Sequence, residues 1–110
     1  MKTALIHHPI FQKHDTGEGH PETSKRYEAI MDALQSNKEF YESLTTLEAE
    51  KVSKGIIQAA HTPEHFKRVE GAFENGVERL DADTVVSLHS FEAAIYGAGG
   101  ACRAVDAVMR

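Results

Sequence analysis

Apolar positions along the chain fall into short runs and helical stripes, separated by polar, turn-rich segments. "TALIHH", residues 3–8, is a brief apolar run closed by Pro9, the pattern of a buried strand feeding a loop. The loop continues to Thr23, a good helix N-cap. Beyond it Tyr27, Ile30, Met31 and Leu34 recur at i, i+3, i+4 and i+7, which predicts a helix over roughly 24–36. "EFYESLTTLEAEK" is ambiguous, reading as a helical turn followed by a short strand around Leu44 to Leu47. Ser53 opens a short helix containing Ile56, Ile57 and Ala60. In "HTPEHF", Thr62 as N-cap, Pro63 at the first helical position and Glu64 in the first turn predict a second start, with Phe66, Val69 and Phe73 on the apolar face and "ENG" at 74–76 closing it.

"ERLDADTVVSLHS" has no clear period. From a Ser90 N-cap onward, apolar residues fall at 91, 94, 95, 98, 101, 102, 105, 108 and 109, a continuous helical stripe. Gly97, Gly99 and Gly100 stand inside it, each costing about 1 kcal/mol relative to alanine. An offset is needed, and close approach of the helix to a sheet is the expected one. The pattern as a whole is α/β, with at least three helices and one clear strand. So few strands under so many helices predict a single domain over residues 1–110 that is part of a larger fold.

Composition narrows the function classes. Of 110 residues, 41% are hydrophobic and 26% charged, which is globular rather than disordered. A net charge of -5, with no basic patch beyond Lys25-Arg26 and Lys67-Arg68, argues against nucleic acid as a partner. The single cysteine, Cys102, lies on the helical stripe and reads as a buried structural thiol in a reducing cytosol. Neither a signal peptide nor an apolar run long enough to span a bilayer is seen, so the reading is a soluble cytoplasmic protein with no membrane partner.

The densest chemistry is "HDTGEGHPETSKR", residues 14–26. His14, Asp15, Glu18 and His20 carry donors suited to zinc, and His7 and His8 offer a further donor from the strand end. Against this, His-x5-His is not a compact ligand spacing. The alternative is a turn-rich loop in which Gly17 and Gly19 serve backbone geometry and His20-Pro21 leads into a helix. His61, His65 and His89 form no cluster that spacing specifies. "YGAGGA" lies within the helical stripe and reads as helix packing rather than a phosphate loop. Asp81 and Asp83 in "LDADTVV" read as an Asx-type turn with solvated carboxylates.

"HPETSKRYEAI", "AAHTPEHFKRV" and "LDADTVVSLHSFEAAIYGAGGACRAVDAVM" resemble, in order and spacing, the N-terminal part of the histone deacetylase superfamily. The likeness is nearest to class II deacetylases and bacterial deacetylase-like amidohydrolases, including acetylpolyamine amidohydrolases, and runs from about Leu5 to Met109. It implies the N-terminal portion of a three-layer α/β/α arginase/deacetylase-like fold, with the site at the carboxyl ends of the strands. It further implies that residues 14–26 form the first active-site loop, and that Arg26 lines an internal cavity beneath the site. Asp83 would be the rim aspartate that holds substrate amides, the glycine-flanked turns of the loop would shape the substrate-channel mouth, and His20, Pro21 and Arg26 count with Asp83 as substrate-binding residues.

The family's catalytic histidine pair, "RPPGHH"-type, its zinc-ligating aspartates and histidine, and its carbonyl-polarising tyrosine have no counterpart in this sequence. The resemblance therefore assigns no catalytic or metal residue here and no cofactor, zinc belonging to the complete enzyme. In some relatives the histidine of "HPE" shares a structural zinc with cysteines, but Asp15, Gly17 and Glu18 stand nearby instead. The expected reading is a segment of a zinc-dependent deacetylase or amidohydrolase, acting on an acetylated small molecule or acetyl-lysine peptide when complete and inert as this chain. A rival reading is a free-standing interaction module that self-associates as a homo-oligomer through apolar helix faces and open strand edges. A weaker third is a small metal-binding protein using His7, His8, His14 and His20.

Overall fold

A computed structural model describes residues 2–110. Strand β1 (Ala4–His7) leads through a 3-10 turn (Pro9–Lys13) and a long loop into helix α1 (Ser24–Ser36). Helix α2 (Lys38–Ser43) and strand β2 (Thr45–Glu48) follow, then α3 (Lys54–Ala60), α4 (Pro63–Glu74) and the long α5 (Ser90–Met109). Helix-rich with a small parallel sheet, the chain is α/β as its pattern predicts.

The caps behave as the sequence indicates. Thr23 Oγ1 accepts from the Lys25 amide at 3.4 Å, Ser53 Oγ from Ile56 at 3.4 Å and Thr62 Oγ1 from His65 at 3.1 Å. Gly76, at φ +67, turns the chain after α4. Ser90 departs from expectation: it is the first residue of α5, with His89 at the cap position and no side-chain cap bond. Its hydroxyl is committed elsewhere, accepting from the Ser87 amide at 2.8 Å and lying 2.6 Å from His14 Nδ1.

β1 and β2 pair in parallel, Ala4 opposite Thr45 and His7 opposite Glu48. Alternation along β1 sorts its neighbours by face. His7 Nδ1 lies 3.1 Å from the Tyr27 hydroxyl of α1. Ile6 and His8 face the other way: a Cβ at Gly100 of α5 would sit 3.5 Å from Ile6 Cγ2, and the His8 ring stacks on Tyr96 with centroids 4.1 Å apart. α5 therefore packs on one face of the sheet, while α1 reaches the other face through the Tyr27–His7 contact and lies chiefly against the 3-10 turn.

Gly99 explains how α5 comes so close. A Cβ built there would lie 1.6 Å from the Glu50 carbonyl oxygen, so only glycine fits beneath the backbone that follows β2. The Val52 amide closes the contact by donating to the Ile95 carbonyl at 3.3 Å, and Arg103 adds a charged bond to the Glu50 carboxylate. Gly97 differs, since its Cβ would meet only Phe11 at an ordinary 3.9 Å.

The sheet-facing side of α5 is not the apolar stripe of the sequence pattern. Ala93, Gly99 and Gly100 are buried, whereas the stripe turns toward α3 and α4 through Phe91, whose ring centroid is 6.0 Å from Phe66 and 5.3 Å from Phe73. Its distal end is open: Val105, Val108 and Met109 are 59%, 80% and 79% exposed. Cys102, expected buried, is half-buried. The fold is thin, with extents of 46 × 36 × 17 Å and a radius of gyration of 15.7 Å, against about 13 Å for a compact chain of this length.

Candidate functional site

The loop between β1 and α1 is bound into a defined shape by its own polar groups. Thr16, which is buried, donates its hydroxyl to the Glu22 carbonyl and closes the neck. Gly17 and Gly19 take φ of +86 and +80, left-handed turns within it, and Asp15 Oδ1 accepts from the Gly17 amide at 2.9 Å. The loop is anchored on α5 and the turn before it: the Asp15 amide donates to Ser87 Oγ at 3.0 Å and His14 Nδ1 lies 2.6 Å from Ser90 Oγ, while His14 Nε2 stands 3.5 Å from Glu22 of the loop itself.

The segment before α5 forms the opposite wall. Arg79 and Val85 make an isolated antiparallel bridge, and the Leu80 amide donates to the Thr84 carbonyl at 2.9 Å. Asp81 Oδ1 accepts from the amides of Asp83 at 2.9 Å and Thr84 at 2.8 Å, the expected Asx turn. The Thr84 side chain and then these two amides hold the Asp81 carboxyl below its ordinary value.

His20 joins the two walls. Its Nδ1 accepts from the Glu22 amide at 3.0 Å, which makes the imidazole a donor at Nε2, and Nε2 stands 2.9 Å from the Asp83 carbonyl. Between the walls lies an open trough of about 600 Å³ lined by Glu18, His20, Pro21, Arg79, Ala82 and Asp83. Three of the four residues assigned by resemblance, His20, Pro21 and Asp83, thus meet in one place. Arg26 does not join them; it is exposed on the first turn of α1. An apolar cavity of about 430 Å³ lies behind the loop, lined by Phe11, Thr23, Tyr27, Phe73 and Val86 among others, but not by Arg26. At 100° per residue, Arg26 falls off the face shared by Thr23 and Tyr27. Arg79 is the trough residue that sequence reasoning missed, because it lies in a segment without a period.

The donors proposed for a metal are spent on separate partners. Besides His14 and His20, His8 Nδ1 accepts from the Ile10 amide at 3.0 Å with Nε2 3.3 Å from Glu48, and His7 faces Tyr27. Among the described residues no three His, Cys, Asp or Glu side chains are placed to share a metal ion. The residues present do not fit a zinc centre. No helix among the described residues is long and apolar enough to cross a membrane.

Residues 20–110 match the histone deacetylase domain. The chain belongs to the histone deacetylase family. It is 33% identical over 110 residues to a probable deacetylase of Archaeoglobus fulgidus, covering 99% of this chain and 30% of that protein. A probable deacetylase of Methanothermobacter thermautotrophicus is 33% identical over 108 residues, covering 96% of this chain and 31% of the relative. The chain spans about a third of the length of the curated relatives it matches.

Proposed function

We propose that this chain is the N-terminal segment of a zinc-dependent deacetylase or amidohydrolase and supplies the mouth of its substrate channel rather than its chemistry. The observation that carries this reading is the His20–Asp83 bond, 2.9 Å long, which fastens two distant loops into one trough in a deacetylase-family chain. In the complete enzyme the substrate is an acetylated small molecule or acetyl-lysine peptide. Asp83 holds its amides at the rim, and the His20-Pro21 turn shapes the opening. Hydrolysis of an acetyl amide needs an activated water and a base within reach of it. The zinc and that base belong to residues outside this sequence, and the single cysteine suits a reducing, cytoplasmic setting. A fluorogenic acetyl-lysine assay with added zinc tests the assignment. No turnover is expected from the 110-residue chain, and metal-dependent turnover would overturn it.

A second reading, self-association as a homo-oligomeric interaction module, is favoured by a specific observation. Leu88, Val108 and Met109 are at least 79% exposed, and among the described residues the sheet has two strands with open edges. Light scattering across a concentration series separates the readings, because a monomer at high concentration removes the module.

A further inference from the structure

We infer that His61 and His65 form a two-histidine chelate for a late first-row divalent metal ion, such as copper(II) or nickel(II), at the corner between α3 and α4. No residue that lines the hollow at this corner also lines the trough, so the two sites are separate.

Of the seven histidines, five have a polar partner for the ring: His7 with Tyr27, His8 with Glu48, His14 with Ser90, His20 with Asp83 and His89 with Glu92. The rings of His61 and His65 have no such partner among the described residues. They face one another instead, with centroids 5.3 Å apart and planes inclined by 32°. Two imidazoles on one tetrahedral ion, each nitrogen about 2.0–2.1 Å from the metal, have ring centres roughly 5 Å apart. The pair thus stands at chelating separation.

The backbone beneath the two rings is fixed. The His61 amide donates to the Ile57 carbonyl at 3.0 Å and closes α3, while the His65 amide donates to Thr62 Oγ1 at 3.1 Å in the first turn of α4. Pro63, at the start of α4, restricts the chain between them. Binding therefore orders two side chains and little else. Both are exposed, on the border of an apolar hollow of about 350 Å³ whose lining includes Ile57, Ala60 and Phe66.

The surrounding charges narrow the choice of ion. The Lys54 ammonium, 4.8 Å from the Phe66 ring centre, and the N-terminus of α4 oppose a cation here, whereas the Glu64 carboxylate and the C-terminus of α3 favour one. With these contributions opposed, nitrogen coordination rather than Coulomb attraction must hold the ion. Imidazole suits copper, nickel and zinc, while calcium and magnesium take oxygen ligands. Two protein ligands are fewer than the three of a catalytic zinc centre, so this is not the zinc of deacetylase chemistry. An ion held by both rings would staple the end of α3 to the start of α4.

The ¹⁵N-labelled chain is titrated with copper(II) chloride, with magnesium chloride as control, following paramagnetic broadening of the amide resonances. The His61, Thr62, Glu64 and His65 amides are expected to broaden first, with magnesium leaving them unmoved and nickel binding more weakly than copper. His61→Asn and His65→Asn should each weaken copper binding at this corner at least roughly tenfold, because the second ligand of a chelate acts at high effective concentration. Circular dichroism at 222 nm should show both variants folded, as their exposure implies. Broadening that starts elsewhere, that spreads evenly over all the histidines as adventitious ions would, or that survives either substitution overturns the inference. The order of broadening in the unaltered chain decides the matter even without the variants.

Discussion

Replacing Gly99 with alanine isolates the contact that holds α5 to the sheet. The added methyl would lie 1.6 Å from the Glu50 carbonyl oxygen, 2.8 Å from its carbon and 3.0 Å from the Val52 nitrogen. All three are backbone atoms, so no rotamer change can yield. The helix must withdraw, stretching the Val52–Ile95 hydrogen bond and opening the contact between Gly100 and Ala49. Overpacking of this kind costs about 3 kcal/mol, the upper end of the usual range. Alanine recovers about 1 kcal/mol of helix propensity. The net is about 2 kcal/mol of destabilisation, which lowers a urea midpoint by about 1.3 M for a slope near 1.5 kcal/mol/M. Gly97→Ala is the matched control: it meets only Phe11 at 3.9 Å, so the propensity term stands alone and stability rises by about 1 kcal/mol. The assay is urea unfolding followed by circular dichroism at 222 nm. A Gly99→Ala chain as stable as the parent, or shifted the same way as Gly97→Ala, would refute the close-approach argument.

Thr62→Ala removes the cap of α4 and should cost about 1 kcal/mol in the same assay, with Thr62→Ser nearly neutral. Hydrogen bonds from Thr84 and from the amides of Asp83 and Thr84 depress the Asp81 carboxyl below 3.8, so its contribution to loop order is present above that value and lost as pH falls through the folded value. Carboxyl NMR should show Asp81 titrating below 3.8, and Asp81→Ala should speed exchange of the Asp83 and Thr84 amides. Burial and then the neighbouring Tyr41 raise the Tyr27 phenol above 10.0. Its contribution is full below 10.0 and lost as pH climbs through the raised value. Of the three tyrosines, Tyr27 should ionise late at 295 nm, a phase that Tyr27→Phe removes.

What the sequence disclosed depended on whether local signals sufficed. α1 and α4 carry both a capping residue and a helical period, and their bounds follow from these alone. The close approach of α5 to the sheet was legible in its glycines and is made at Gly99 and Gly100, whereas the apolar stripe, expected buried at Cys102, turns toward α3 and α4 because a hydrophobicity pattern follows large side chains and not the gaps between them. The resemblance named His20 and Asp83, but neither spacing nor composition could join residues 63 positions apart through an imidazole and a carbonyl. Arg79 was missed for another reason: its segment carries no hydrophobic period, so nothing in the pattern placed it at the trough.

The proposed role of this chain as the mouth of a deacetylase site, with the chemistry elsewhere, is open to direct measurement. The most direct measurement substitutes residues 1–110 for the matching segment of the Archaeoglobus probable deacetylase and assays zinc-dependent hydrolysis of an acetyl amide, with and without Asp83→Ala. Turnover by the chimera that falls at least roughly tenfold on loss of the rim carboxylate is the predicted result, a charge-assisted hydrogen bond to substrate being worth about 1.5–3 kcal/mol. A folded chimera without turnover, or one indifferent to Asp83→Ala, would contradict it.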